Sequence, residues 1–148
     1  MALQMRTLGA ALLAIIMLAG AALAQKTEEE APANLRSGAQ TTINGQMQAF
    51  RAREHDQAFS YADPSLQKLF RNTETFIGMV KGGYSAIYDA QGWSFGRSRM
   101  DGATLYQELY VTGPNGREWI ALYTMKQDAA GNWRIGGVRI IPGAGQTT

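Results

Sequence analysis

ATLYQELYVTGPNGREWIALYTMKQDAAGNWRIGGVRIIP, residues 103–142, is the stretch that decides the fold. Aromatic and β-branched residues alternate with polar ones in residues 103–112 and 117–126, and a Gly-Pro-Asn-Gly turn joins the two segments. Such alternation around a turn of this composition predicts a β-hairpin. A second turn, residues 128–132, leads into residues 133–141. The stretch therefore predicts three strands of an antiparallel meander.

The residues that precede this meander have the apolar spacing of helices. A long helix is predicted from Thr41 or Thr42 toward Tyr61, with one apolar stripe along its length. A second, shorter helix is predicted to start at an Asp-Pro pair, residues 63–64, because proline suits the first helical position. A third is predicted from Asn72 or Thr73 to a pair of glycines, residues 82–83, that ends the helix.

Two further strands are predicted between these helices and the meander. Residues 84–89 and 93–100 are the candidates, and Asp101-Gly102 forms a strong hairpin turn into the strand that begins at Ala103. The sequence thus predicts an α+β fold. In it, an N-terminal long helix and two short helices pack on a curved antiparallel meander sheet of about five strands.

The N-terminal residues 1–24 have the features of a signal peptide. Arg6 precedes an apolar run over residues 8–23, and the Ala-Leu-Ala sequence that ends at Ala24 suits cleavage by signal peptidase. The alternative is a retained membrane anchor, but the run is shorter than the ~20 residues that cross a bilayer. We therefore expect a periplasmic or secreted protein with no membrane association after cleavage.

The remainder of the chain is expected to form one domain. The length of 148 residues and a hydrophobic content of 45% suit a single core. Residues 25–40 include an acidic triplet but almost no apolar side chain to bury, which predicts a flexible linker. The expected organisation is a signal peptide (1–24), a flexible linker (25–40), a single α+β domain (41–142) and a disordered tail (143–148).

Composition excludes several classes of site. The chain has no cysteine, so it can form neither a disulfide nor a thiolate metal site, and it has no thiol nucleophile. His55 is the only histidine, and the chain has no phosphate-binding glycine motif and no serine-hydrolase motif. We therefore expect no metal and no cofactor, and we assign no catalytic residue.

The charge of the chain predicts no nucleic-acid partner. Its formal net charge is +2, and removal of Arg6 with the signal peptide would lower it to +1. Basic residues are scattered along the sequence, and the local pair Arg97 and Arg99 is expected to lie on a solvated surface. No groove for phosphate groups is predicted.

The predicted hairpin gathers aromatic residues around a carboxylate. If Thr112 pairs with Arg117 across the turn, one face of the sheet surrounds Glu108 with tyrosines. Such a face suits a small-molecule pocket, although aromatic residues also favour ordinary sheet packing. One face must meet the helices, and the other could pair with a second copy of the chain. The residues of the aromatic face would be Tyr106, Glu108, Tyr110, Trp119, Ala121 and Tyr123, with Gly136, Val138 and Ile140; the opposite face would hold Leu105, Leu109, Val111, Ile120, Leu122 and Ile135, with Gln107 and Arg139.

Glu54 is the second carboxylate of interest. At about 100° per residue it projects close to the direction of Ile43, within the apolar stripe of the first predicted helix. A buried carboxylate there would need a partner or a pocket, whereas a place at the sheet edge would let it reach water or pair with an arginine. The candidate binding pocket comprises Glu54, Tyr106, Glu108, Tyr110, Trp119 and Tyr123.

An ordered set of short motifs resembles a known family. The motifs are INGQMQAF (43–50), AFSYADP (58–64), FIGMV (76–80), Tyr84 and WRIGG (133–137). Their order and spacing resemble the bacterial exported family named domain of unknown function 4864, over about residues 43–142. The resemblance implies a cystatin-like or nuclear-transport-factor-2-like layout and no established activity. The last strand of that family often carries a cysteine where this chain has Gly137 or Val138, so no thiol role is implied.

Three functional hypotheses follow, and the first is favoured. It is a non-enzymatic module of the cell envelope that binds a small apolar ligand or a protein, with a homodimer formed through the sheet as one form of it. The second is a cofactor-free acid/base enzyme of the isomerase or dehydratase type, with a carboxylate and tyrosines in a pocket between helices and sheet. The third is an envelope assembly factor without a pocket.

Overall fold

The structure, a computed structural model, describes residues 29–143. Within this range the strands form one antiparallel sheet in the order β1-β2-β3-β4, and the helices cover one of its faces. The predicted α+β class and the meander are confirmed, with four strands rather than about five. The elements in chain order are α1 (Ala33–Ala52), α2 (His55–Ser60), α3 (Pro64–Phe70), α4 (Thr73–Gly83), α5 (Ser85–Tyr88), β1 (Gly92–Asp101), β2 (Thr104–Thr112), β3 (Glu118–Gln127) and β4 (Trp133–Pro142).

The prediction of a strand at residues 84–89 is wrong, because this segment contains the short helix α5. The backbone N–H groups of Ile87 and Tyr88 donate to the carbonyl of Tyr84 at 2.9 and 3.0 Å. Ala86, Ile87 and Tyr88 are consecutive and all buried. A strand would expose alternate residues, so three successive buried side chains fit a helical turn wedged into the core.

Helix α1 begins eight residues earlier than predicted. Residues 33–40, predicted as part of the flexible linker, are helical. Ala39 is fully buried and Leu35 packs against the core, so these few small and apolar side chains are enough to dock the first turns. The predicted signal peptide, residues 25–28 of the linker and residues 144–148 of the tail lie outside the described residues.

Arg53 interrupts the helix that was predicted to continue to Tyr61. It adopts a left-handed conformation, with φ 59° and ψ 29°, and α2 begins two residues later. Its guanidinium donates to Asp89 at 2.6 Å and to the carbonyl of Tyr88 at 3.1 Å, and lies 4.1 Å from the centre of the Tyr88 ring. No glycine or proline marks this break in the sequence, because tertiary contacts hold a conformation that arginine seldom adopts.

The core lies between α1 and the inner face of the sheet. Every second residue of β2 points toward the helices, and the side chains between them point away. Ile43, Met47 and Phe50 of α1 pack against this inner face. The fully buried residues of the inner face are Leu105, Gln107, Leu109 and Val111 of β2 and Ala121, Tyr123 and Met125 of β3.

Gln107 is the polar member of this inner face. The pairing of β1 with β2 shifts in register beside it, which marks a β-bulge in β1. The amide of Gln107 donates to the carbonyls of Gly96, Arg97 and Glu108 at 3.1, 3.3 and 2.9 Å. Its side-chain oxygen accepts from Gln40 of α1 at 3.2 Å. The glutamine therefore supplies the donors that the bulge removes from the strand ladder.

We expect Gln107→Met to lower the free energy of unfolding by about 1–3 kcal/mol, because methionine has a similar volume but no N–H for the bulge. Urea unfolding followed by circular dichroism measures the change. Gln40→Met is the matched control, since it removes only the half-buried partner and should cost less. A Gln107→Met protein as stable as the wild type would contradict this role.

Candidate functional site

The turn between β2 and β3 determines which side chains share a face of the sheet. Thr112 pairs with Glu118 rather than with Arg117, so the predicted register is wrong by one residue. Residues 113–117 form the loop, in which Gly113 N–H donates to the carbonyl of Arg117 at 2.8 Å and Gly116 has φ 73°. Because strand side chains alternate, a shift of one residue exchanges the two faces of β3 relative to β2.

The predicted aromatic pocket is consequently divided between the two faces. Tyr123 and Trp119 lie on the inner face, where Tyr123 is fully buried. Tyr106, Glu108 and Tyr110 lie on the opposite side, which we call the open face. The ladder partners of these three residues on the open face are Thr124, Leu122 and Ile120.

The last strand has the predicted neighbours in β3 at residues 138–140, and its faces differ from the prediction only relative to β2. Val138 pairs with Tyr123 and Ile140 pairs with Ala121, so both lie on the inner face. Arg139 pairs with Leu122 and lies on the open face, not on the face that meets the helices. The register of β3 with β4 shifts next to Gly136, which adds a second irregularity to the sheet.

Glu54 belongs to neither face. It is exposed and occupies the position before α2, because the break at Arg53 turns it away from the apolar stripe. There it lines a shallow surface groove with His55 and Lys81, and the His55 ring lies within 2.9 Å of the Tyr88 hydroxyl. Glu54 thus reaches water, and its predicted place in a pocket with the sheet tyrosines is wrong.

A cavity of about 200 Å³ lies between the helices and the inner face of the sheet. Helices α1, α3 and α4 form most of its wall, and β3 and β4 form its floor. No carboxylate of residues 29–143 lines this cavity. Its lining includes Phe50, Leu66, Phe70, Phe76, Met79, Val80, Tyr84, Ile87, Tyr123, Ile135 and Val138.

The polar groups of the cavity differ in how well they are paired. Tyr84 donates its hydroxyl to the carbonyl of Val138 at 3.1 Å. Within residues 29–143 the Tyr123 hydroxyl has only the thioether of Met47 as a partner, at 3.5 Å, and burial raises the pKa of this phenol, which keeps it neutral. Since a thioether is a weak acceptor, Tyr123 can donate to a bound molecule at little cost.

These lining residues could not be assigned to a site from the sequence. Leu66, Phe70 and Val80 lie in the two shorter helices that the sequence predicts, and Tyr84 lies at the start of a predicted strand. Apolar side chains at helical spacing normally indicate a core. Nothing in such a pattern separates residues that fill a core from residues that line a gap in it.

The open face contains a second concavity, about 1130 Å³ in volume. Within it, Glu108 accepts hydrogen bonds from Arg97: from the backbone N–H at 3.2 Å, from Nε at 3.3 Å and from Nη2 at 3.0 Å. The Tyr110 hydroxyl adds a fourth at 3.4 Å. The Arg97 guanidinium holds the pKa of Glu108 below its usual range, against the opposing effect of burial.

The acid/base hypothesis finds little support in this geometry. It required a carboxylate and tyrosines in a pocket between helices and sheet, but Glu54 lies on the surface and Glu108 lies on the open face. A carboxylate whose ionised form is stabilised by an arginine is also a weak general base near neutral pH.

Two classes of feature are absent from residues 29–143. No group of three or more histidine, aspartate or glutamate side chains in that range is arranged to hold a metal ion. None of the helices described is both long and apolar enough to cross a membrane.

The Arg97–Glu108 contact gives a prediction for acid stability. A carboxyl whose pKa is lowered by folding stabilises the protein above its unfolded pKa, about 4.3, and this contribution disappears as the pH falls through the folded pKa. Glu108→Gln should therefore cost about 1 kcal/mol at neutral pH and almost nothing at the lowest pH at which the protein stays folded. Urea unfolding across pH measures both values.

The exposed Glu54 supplies the control for this pH experiment. Glu54→Gln removes the same charge from a side chain without the arginine contact, so it should change stability less at neutral pH. A cost of Glu108→Gln that is the same at every pH would contradict the assigned role.

Comparison with known proteins identifies the family of the chain. A family model described as "Domain of unknown function (DUF4864)" matches residues 33–148, which begin at the first residue of α1 and include all of the helices and strands described above. Neither the curated proteins nor the solved structures contain a significant match. The family match confirms the resemblance carried by the sequence motifs: this chain belongs to the domain of unknown function 4864 family.

Proposed function

We propose that this chain is an exported, non-enzymatic domain that binds a small apolar ligand in the cavity between its helices and sheet. The cavity itself carries the proposal. Several apolar side chains of its lining, among them Phe70, Met79 and Val138, are only half-buried, so the cavity leaves apolar surface that a ligand would cover. A gap of about 200 Å³ walled by aromatic and aliphatic side chains has the character of a ligand site.

The volume and the lining limit the class of ligand. An apolar cavity of about 150 Å³ accommodates benzene, so this one suits a molecule on the order of ten non-hydrogen atoms. A charged ligand is disfavoured because the lining contains no group of opposite charge to offset desolvation. The Tyr123 hydroxyl favours a ligand with one hydrogen-bond acceptor. A single aromatic ring, or a short aliphatic chain with one carbonyl, meets these conditions.

Of the helices around the cavity, α3 is expected to move away from the sheet at the lowest cost in free energy. It has no buried residue, although Leu66 and Phe70 line the cavity, and Leu69 is 70% exposed. Elements with little buried apolar area open locally before the rest of a fold. At its start the chain is held by Asp63, whose N–H donates to the carbonyl of Ile135 at 2.9 Å. Ligand entry is therefore assigned to the far end of α3, near Arg71.

Export is part of the same proposal. It is supported by the charge, the apolar run and the cleavage pattern of residues 1–24, which match a signal peptide. A cysteine-free domain of this kind needs no oxidative folding step after export.

Filling the cavity tests the binding site. We expect acetophenone at about ten times its Kd to raise the free energy of unfolding of the wild type by about 1.4 kcal/mol. That increase corresponds to a rise in Tm of about 4 °C. Val80→Phe should abolish the rise, because the larger ring occupies the cavity. Differential scanning fluorimetry measures each Tm, and isothermal titration calorimetry measures the Kd.

A matched control separates cavity filling from general overpacking. Ile120→Phe enlarges a half-buried side chain on the open face, away from the cavity, and should leave the effect of acetophenone intact. The proposal fails if acetophenone and ethylbenzene both leave the wild-type Tm unchanged, or if Val80→Phe responds as the wild type does.

The Tyr123 hydroxyl should control preference between two ligands of similar size. Acetophenone carries a carbonyl acceptor and ethylbenzene does not, so Tyr123→Phe should weaken acetophenone binding about two- to tenfold and leave ethylbenzene binding unchanged. Calorimetric titration of both ligands against both proteins measures the difference. Equal weakening of the two ligands would show instead that the substitution disturbs the shape of the cavity.

A further inference from the structure

The open face carries two arginines whose charge no carboxylate balances. Arg99 of β1 and Arg139 of β4 both line its concavity, and neither forms an ion pair with any carboxylate of residues 29–143. The two acidic residues that also line it have other partners. Glu108 is paired with Arg97, and Glu30 is paired with Arg36 at 2.9 Å. The concavity is therefore electropositive.

Between these arginines the floor of the concavity is aromatic and aliphatic. The Arg99 guanidinium lies 4.5 Å from the centre of the Tyr106 ring, which orients it along the floor. Leu122 continues the floor and is half-buried, and Tyr110, which also lines the concavity, is 41% exposed. Such an apolar surface between cations is unusual for a face that meets only water.

The spacing of the two arginines limits what can occupy this face. They lie on the two outer strands of a four-stranded sheet, three strand spacings of about 4.8 Å apart, and Arg139 is offset by two residues from the row of Arg99, so their backbones are about 16 Å apart. An extended chain advances about 3.4 Å per residue, so about four to five residues cover the same distance. In an extended chain, residues i, i+2 and i+4 point to one side.

We propose that the open face binds an extended acidic segment of a partner protein. Its two carboxylates, about four residues apart, contact Arg99 and Arg139, and the apolar side chain midway between them lies on Leu122 and Tyr106. This interaction is separate from ligand binding, because the cavity lies on the other side of the sheet.

Two other occupants fit the face less well. A small molecule would fill only part of this face, since the concavity, at about 1130 Å³, has more than five times the volume of the cavity on the other side of the sheet. A second copy of the chain, predicted from sequence as a homodimer through the sheet, would bring two electropositive faces together. The carboxylate of Glu108, which could offset that repulsion, is already bound to Arg97.

A fluorescent peptide with two glutamates separated by three residues, the middle one leucine, tests the proposal. Fluorescence anisotropy with the folded chain should show saturable binding that weakens as salt is added, because the contacts are charge-assisted. Arg99→Gln and Arg139→Gln should each weaken binding about three- to tenfold. Lys68→Gln removes an equal charge from the exposed surface of α3 and should leave binding unchanged. Circular dichroism verifies that each variant is folded.

Several results would overturn the proposal. They are the absence of saturable binding at about 1 mM peptide, equal binding of a peptide with lysines in place of the glutamates, and equal weakening by Lys68→Gln. Sedimentation equilibrium distinguishes a second copy as the occupant. Self-association that Arg139→Gln abolishes, without peptide binding, would assign the face to a homodimer. Decanoate binding that depends on the arginines, again without peptide binding, would assign it to a small amphiphile.

Discussion

The pairing of Thr112 with Glu118 is the constraint on which the rest of the structure depends. The five-residue loop between them places β3 one residue away from the simplest hairpin register. That single step sends Tyr123 into the core, where it becomes part of the cavity lining, and leaves Glu108 on the open face with Arg97. Both candidate sites result from this choice, because side chains of a strand alternate and no local adjustment can move one of them to the other face.

The β-bulge in β1 connects the two faces. On the inner face its carbonyls accept hydrogen bonds from Gln107, and on the open face the backbone N–H of Arg97 donates to Glu108. The bulge is thus stabilised by the Gln107 amide on the inner face and by the Glu108 carboxylate on the open face. Bulges increase the twist and bend of a strand. The bend helps to make the open face concave, and it positions Tyr110 over Gly96, where a Cβ atom would lie 2.8 Å from the ring.

The helices close the inner side of the sheet with unequal strength. α1 and α4 contribute large buried side chains such as Phe50 and Phe76, whose rings lie 6.3 Å apart. The break at Arg53 lets the chain turn back across α4, and α3 then crosses the cavity with no buried residue of its own. The well-packed helices α1 and α4 give the cavity a defined shape. The loosely packed helix α3 gives it a route of access.

The sequence by itself determined the elements with strong local signals. The turns at residues 101–102 and 113–116, the Asp63 and Asn72 helix caps and the strand patterns each depend on neighbouring residues, and they predicted the meander and the short helices. The resemblance to the family came from an ordered set of short motifs. Tertiary structure decided the rest. Arg53 breaks a helix because its side chain binds Asp89 and the carbonyl of Tyr88. α1 extends over residues 33–40 because Ala39 is buried in the core. Residues 85–88 form a helical turn because three successive side chains pack against apolar neighbours. The two candidate sites were likewise decided by tertiary structure. A cavity and a face of a sheet are relations between segments distant in the chain, and neither the spacing of apolar residues nor the chemistry of a turn specifies them.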